Sequence, residues 1–472
     1  MKNCSINKAK EILCIGIVLT LTVIAVLKMT TSLQFSGVNF DASYYLGVSR
    51  LILEGKIPFV DFSPGYTPLS FYIMAIPIAI FGKSFTTALS VLYIFYIVNT
   101  YILYKIIKQH SGTKLISLYC SILSLVLCLG TGGNGYILEP FVLFFGLSAL
   151  YVLKKGTLKW IIISGFLCFC SFWSKQYGLG FICLAIAALF LEEGMEKSFL
   201  SKVVYLLMGF FGGMVLFVMF FFLQGVDFLS LLSLSGNSYE RDGIVGLIGG
   251  WISLFITLPL LMVALLVMIV KIQKAMKLSL MAVSFLGVFG FMLQCYVRFY
   301  AHYLMLAMPF AVLMLYACAN AFNNEKLKNV YMVLLFLSSV IPIYFASKSI
   351  MAVLVENAQE KQKISAKVIE EHVPRGSKDV FCAMDLLPYM HLNTYTPPLI
   401  KKYGMSNGFV RKSKEVSEMV KASTYCMISE RDFEKKKKYT EDICKYLDSH
   451  FFKIKIEGLT PQETYYIYVR KN

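Results

Sequence analysis

The sequence predicts an all-α polytopic membrane protein with a small α/β or α+β domain at its C-terminal end. Three observations predict it. Apolar runs long enough to cross a bilayer recur between residues 11 and 347. Hydrophobic residues make up 57% of the chain and charged residues only 15%, against about 25% charged in a soluble domain. Beyond residue 347 the composition changes, and roughly the last quarter of the chain holds about half of its charged residues.

The apolar runs lie near 11–28, 86–107, 114–131, 138–153, 159–173, 177–191, 202–223, 246–270, 278–295, 303–320 and 329–347, which makes about eleven transmembrane helices. Lys2, Lys8 and Lys10 precede the first run as in a signal peptide, but no small-x-small cleavage site follows, so an uncleaved first span is expected. Segment 68–81 is apolar too, yet it is brief and contains Pro77. It is expected to lie along the interface as a helix.

Charge orients these helices. With the N-terminus inside, the inner loops gather Lys105, Lys108, Lys154, Lys155, Lys271, Lys274 and Lys277 with few acids. The outer loops balance Lys28, Arg50, Lys175 and Arg298 against Asp41, Asp61, Glu139 and Asp227. Treating 68–81 as a span would put the lysine clusters outside, against the positive-inside rule. An odd number of spans places the C-terminal domain outside, on what is expected to be the plasma membrane.

In that domain, 347–372 reads as a helix leaving the membrane. Segments 378–384, 423–429 and 451–456 read as strands, and 411–421 and 431–447 as helices. The lysine run 435–438 suits a solvated helix face, or attraction of an anionic lipid or polymer.

Several function classes recede. A formal charge of +17 suggests nucleic acid, but the hydropathy argues for lipid and against a nucleic-acid partner. The 12 cysteines show no C-x-x-C pair and no metal-ligand spacing. Most fall in apolar runs and behave as small hydrophobes. Cys382, Cys426 and Cys444 leave room for one disulfide in the tail.

The polar chemistry gathers on the outer side, above all in 37–82. Asp41 opens a helix expected over 42–54, where an acid is either an N-cap or a reactive group. Asp61, after Pro58, reads as a turn-shaping residue. Glu139 stands just before Pro140 at the mouth of a span, as a helix-start acid or a site residue. Lys175, followed by Gln176, interrupts an apolar stretch. It either snorkels or grips a phosphate. Arg298, His302 and Tyr303 recur at helical spacing at the outer end of a span. They form either an interfacial anchor or a cationic, hydrogen-bonding patch suited to a lipid-linked phosphate.

These motifs resemble the polytopic GT-C glycosyltransferases, closest to the protein O-mannosyltransferase-like and aminoarabinose-transferase-like groups. The resemblance rests on Asp41, Tyr45 and Gly55 in the first outer loop, on Pro58 to Phe62, on Pro68 and Tyr72, and on Arg298, His302, Tyr303 and Pro309. It implies transfer of a sugar from a polyprenyl-phosphate donor to a glycan, lipid or protein acceptor at the outer face. It implies Asp41 as the first-loop catalytic acid, Glu139 as the second, and Lys175 and Arg298 near the donor phosphate. A divalent cation between Asp41 and Glu139 is compatible with it. The chain departs from the pattern at Tyr66-Thr67-Pro68, where relatives often carry Lys before a Pro pair. A flippase of lipid-linked glycan would also need many spans and phosphate-binding cations, and a non-catalytic receptor or scaffold would use the tail.

Overall fold

A computed structural model describes residues 2–37, 40–61, 64, 66–82, 84–111, 113–132, 135, 137–194, 196–226, 242–270, 279–297, 299–322, 324–374, 380–382, 417, 420–429, 441–460 and 463–471. Arg298, Asp227 and the lysine run 435–438 lie outside the described residues.

The chain opens with α1 (Lys2–Phe35), α2 (Phe40–Leu53), α3 (Leu69–Phe81), α4 (Phe85–Ser111) and α5 (Lys114–Gly132). Next come α6 (Glu139–Leu153), α7 (Leu158–Ser174), a 3-10 turn (Gln176–Leu179), α8 (Gly180–Glu193) and α9 (Lys197–Phe222). The second half holds α10 (Gly243–Thr257), α11 (Leu260–Val270), α12 (Ser279–Met292), α13 (Gln294–Val297) and a second 3-10 turn (Ala301–Leu306). It continues with α14 (Met308–Ala321), α15 (Glu325–Ser338), α16 (Val340–Glu356) and α17 (Ala358–His372).

Each apolar run coincides with a helix or helix pair. Among the described residues, 7 helices are long and apolar enough to span a bilayer alone, and a bent pair raises this to 8. The runs at α6, α7 and α14 are apolar but only 14 to 17 residues long. They account for the difference from eleven. The run 246–270, expected as one span, is instead α10 and α11 meeting at 107°. Pro259 sits at the break, where it lacks an N–H and its ring blocks a continuing helix. Lys28, counted among the outer loops, lies within α1 and is buried, donating to Ser349 Oγ of α16.

Helices α7 and α9 pack at close range. A Cβ on Gly165 would meet Leu206 O at 1.9 Å, and one on Gly209 would meet Ile162 O at 2.0 Å. Small residues allow this approach, which supplies the packing that lipid cannot.

The stretch 347–372, expected as one helix, is broken at Asn357. That residue adopts φ 39° and caps α16 before α17 begins. The tail then forms β1 (Val380–Cys382), β2 (Tyr425–Ser429), α18 (Glu441–His450), β3 (Phe451–Thr460) and β4 (Glu463–Arg470). The sheet order is β1-β2-β4-β3, parallel only between β1 and β2. Cys426 and Cys444 are free thiols. Strand β4 is the element the sequence reading lacks. Both of its faces are covered: Ile467 joins the core with Met427, Ile369 and Val373, and Tyr468 packs with Cys426, Ile443 and Leu447. A strand buried on two sides has no period-two alternation to read.

Candidate active site

The polar residues converge where the start of α6, the end of α7 and the second 3-10 turn meet. Glu139 is the first residue of α6, with Pro140 in the first turn, where its missing N–H costs nothing. Asn99 of α4 donates to Pro140 O at 2.9 Å and fixes this helix start. Ser171 of α7 donates to Val142 O at 2.9 Å and ties α7 to α6.

Lys175 follows the last residue of α7 in extended backbone. The chain then turns back through Gly178, whose N–H donates to Lys175 O at 2.8 Å. Only glycine fits there, because a Cβ would meet Ser171 O at 2.2 Å. The final carbonyls of α7, which have no intrahelical partner, are taken by the start of α3 and the residue pair before it. Thr67 Oγ1 donates to Phe172 O at 3.1 Å, and Ser70 Oγ donates to Ser174 O at 3.0 Å. Both donors are fully buried.

Lys175 Nζ lies 2.6 Å from Glu139 Oε1, with side-chain exposures of 1% and 0%. Three tyrosine rings surround the ammonium: Tyr303 at 5.0 Å, Tyr66 at 5.3 Å and Tyr177 at 5.7 Å. Their quadrupoles favour the cation while excluding water. His302 Nε2 stands 3.9 Å from Glu139 Oε1. Its ring stacks on Tyr300, and Gln294 Nε2 donates to Tyr303 O at 2.7 Å. Among the described residues, no other residue's polar group hydrogen-bonds the buried Glu139 Oε2, Gln294 Oε1 or Trp173 Nε1. Buried polar atoms usually find a partner, so these three set the pocket apart from the surrounding packing.

Asp41 lies in the first turn of α2, one residue inside the helix rather than at its cap. Its charge reaches both His302 and Tyr45. Burial lowers the His302 pKa below its ordinary 6.5, with Glu139 and Asp41 opposing and Lys175 assisting. Tyr45 is buried edge-on to Tyr66 at 5.7 Å, which links α2 to the lysine.

The structure therefore brings together Glu139, Lys175, His302 and Tyr303, with Tyr45 and Asp41 on the same side. Gln176 opens the first 3-10 turn and is half-buried. Asp61 accepts from Ile57 N at 2.8 Å and closes its own loop. His302 and Tyr303 sit on a 3-10 turn, Ala301–Leu306, separate from α13 (Gln294–Val297). The Phe299 N–H is drawn to Asp242 Oδ2 at 2.7 Å, away from a helical carbonyl. Tyr66, Thr67, Ser70, Tyr177 and Gln294 are the residues that sequence reading missed. Tyr66-Thr67 was the point of departure from the family pattern, and that was the available signal. Among the described residues no three His, Cys, Asp or Glu side chains gather as a metal-ligand set.

Residues 64–221, about a third of the chain, match the sequence profile of the dolichyl-phosphate-mannose-protein mannosyltransferase family. A comparison with curated proteins finds no match. Among solved structures, the chain is similar to ArnT from Cupriavidus metallidurans in the apo state, with TM-score 0.63 and 12% identity, over 96% of this chain and 97% of that one. The same protein bound to undecaprenyl phosphate gives TM-score 0.61 and 10% identity, over 96% and 98%. The archaeal oligosaccharyltransferase AglB from Archaeoglobus fulgidus, in complex with an inhibitory peptide and a dolichol-phosphate, gives 0.54 and 10%, over 97% and 74%. The chain is an integral membrane protein with the GT-C glycosyltransferase fold. The profile match falls on the segment that holds Glu139, Lys175 and the Tyr66-to-Ser70 clamp.

Proposed function

We propose that this protein is a membrane glycosyltransferase that moves a sugar from a polyprenyl-phosphate donor to an acceptor hydroxyl at the outer face. The observation that carries the reading is Lys175, a buried ammonium held among Tyr66, Tyr177 and Tyr303 beside the buried Glu139 carboxylate. Relatives often carry a lysine in the first loop; here Tyr66 stands near that place and Lys175 reaches it from the end of α7.

In the reaction the bond between sugar C1 and the phosphate oxygen breaks, and the electron pair leaves with the phosphate. The acceptor oxygen bonds to C1, and its proton passes to Asp41 as general base. Lys175, with Arg298, stabilises the charge growing on the phosphate. Glu139 and His302 hold the electrostatics of that pocket, while Tyr45, Tyr303 and Gln176 shape it. The lysine-rich loops support an inside N-terminus and an outside site and tail, in the plasma membrane. The tail from residue 348 onward forms the second domain of this reading, beside the acceptor, which is a surface glycan, lipid or protein. Membrane vesicles given labelled polyprenyl-phosphate sugar test the proposal. Transfer is expected with wild type and not with Lys175→Met. Wild-type vesicles that move the donor across the bilayer with its sugar–phosphate bond intact would identify a flippase instead.

A further inference from the structure

The pair between Lys175 and Glu139 has an unusual balance. Both side chains are almost completely buried. A buried ion pair that serves only stability needs its remaining lone pairs satisfied, because each charge has lost its water. Here, among the described residues, no polar group of another residue hydrogen-bonds Glu139 Oε2. The ammonium, by contrast, is enclosed by three rings and by the carboxylate. A second partner for the carboxylate already stands 3.9 Å away, at His302 Nε2.

We propose that Glu139 is a built-in substitute for the donor phosphate: it occupies Lys175 in the resting protein, yields it when lipid-linked phosphate enters, and retakes it to expel the product. The inference rests on the phosphate-binding role given to Lys175 above. Charge keeps the exchange close to balance, so it can run in either direction as the ligand changes. A sugar phosphodiester carries one negative charge, as Glu139 does, so the swap conserves the charge seen by Lys175. Displaced from the lysine, Glu139 turns toward His302, which has the hydrogen-bonding nitrogen to receive it. Once the sugar has left, the polyprenyl phosphate monoester carries up to two negative charges and would hold Lys175 strongly. Repulsion from Glu139, close beside it in a water-poor pocket, opposes that hold and favours release.

The same geometry gives Tyr66, Tyr177 and Tyr303 a positioning role. They keep the ammonium in place while its anionic partner changes, so the lysine does not have to find its position anew in each cycle.

The test is direct binding of undecaprenyl phosphate to the purified full-length protein in lipid nanodiscs. Wild type is compared with Glu139→Gln, Glu139→Asp and Lys175→Met, with inorganic phosphate as a second probe to separate head-group binding from tail binding. Glu139→Gln is expected to bind the lipid phosphate at least about tenfold more tightly than wild type, since it removes both the competitor and a like charge from a buried site. Glu139→Asp, whose carboxylate ends one methylene short of Lys175, should fall between them and covers the case in which the Gln variant does not fold. Inorganic phosphate should show the same ranking at lower affinity. Unchanged or weaker binding in the Glu139 variants, with binding lost in Lys175→Met, would overturn the exchange and leave the phosphate site standing. Wild-type affinity in Lys175→Met would remove the phosphate site itself, and the exchange with it.

Discussion

Glu139 Oε1 and Lys175 Nζ approach to 2.6 Å across the α6–α7 junction, and neither side chain is open to solvent. The contact ties the start of one short apolar helix to the end of the next. It also sets the electrostatics of every group around it. His302 feels Glu139 and Lys175 with opposite sign, and Tyr303 and Tyr66 stack around the cation. The pocket is organised around a charge pair, and its reactive properties follow from what can enter or leave that pair.

The charge of Asp41 reaches His302. As general base Asp41 should be replaceable in structure but not in chemistry. Asp41→Asn is expected to keep expression and thermal stability while lowering transfer by about 100-fold or more, the usual span for loss of a general base. Transfer from labelled donor in membranes measures it, and a wild-type rate would remove Asp41 from the base role.

The clamp of Thr67 and Ser70 on the last carbonyls of α7 holds Lys175 in register. Ser70→Ala leaves Ser174 O without this donor. A cost of about 1 kcal/mol in stability is expected, in line with hydrogen bonds between helices in membranes. The thermal midpoint in detergent should fall, and the donor KM should rise more than kcat falls. A drop in kcat alone would mean the clamp does not position the lysine.

The rings around Lys175 separate cation–π binding from simple packing. Tyr66→Phe keeps the π face and should preserve donor affinity. Tyr66→Leu keeps apolar bulk but loses the face, and should weaken donor binding by about three- to thirtyfold, the range of a partly to fully desolvated cation–π contact. Equal affinities for the Phe and Leu variants would show that Tyr66 only fills space.

Much of this architecture was legible in the residues. The eleven apolar runs all mark helices, because hydrophobic length is dictated by the bilayer itself. Glu139, Lys175, His302 and Tyr303 stood out because polar groups in apolar sequence are costly. Their direct pairing was not legible. Residues 36 apart in sequence meet only after α6 and α7 are set side by side, an outcome governed by helix packing and by Ser171. Thr67 and Ser70 looked like ordinary loop residues, since nothing local says that a carbonyl from another helix awaits them. The α10–α11 bend was hidden inside a continuous apolar run whose one warning was Pro259. Asp41 looked like a cap because it precedes an amphipathic pattern, yet the helix begins one residue earlier at Phe40.

His302 gives the site a pH signature. Burial lowers its pKa from the ordinary 6.5, with Lys175 pushing the same way and Glu139 and Asp41 pushing back. The folded protein therefore binds fewer protons at His302 than the unfolded chain does once the pH falls to the ordinary value. Stability is then unaffected by this group well above pH 6.5 and declines as the pH drops through 6.5 toward the lowered folded value. Thermal midpoints of wild type measured from pH 8 to pH 5 should be flat at the alkaline end and fall at the acid end. His302→Gln, which keeps a hydrogen-bonding side chain but cannot take up a proton, should lose part of that acid-side decline while other titrating groups keep theirs. Identical acid slopes in the two proteins would place the neutral-histidine reading in error. A steeper slope in the variant would mean that His302 is charged in the folded state and stabilises Glu139 as an ion pair.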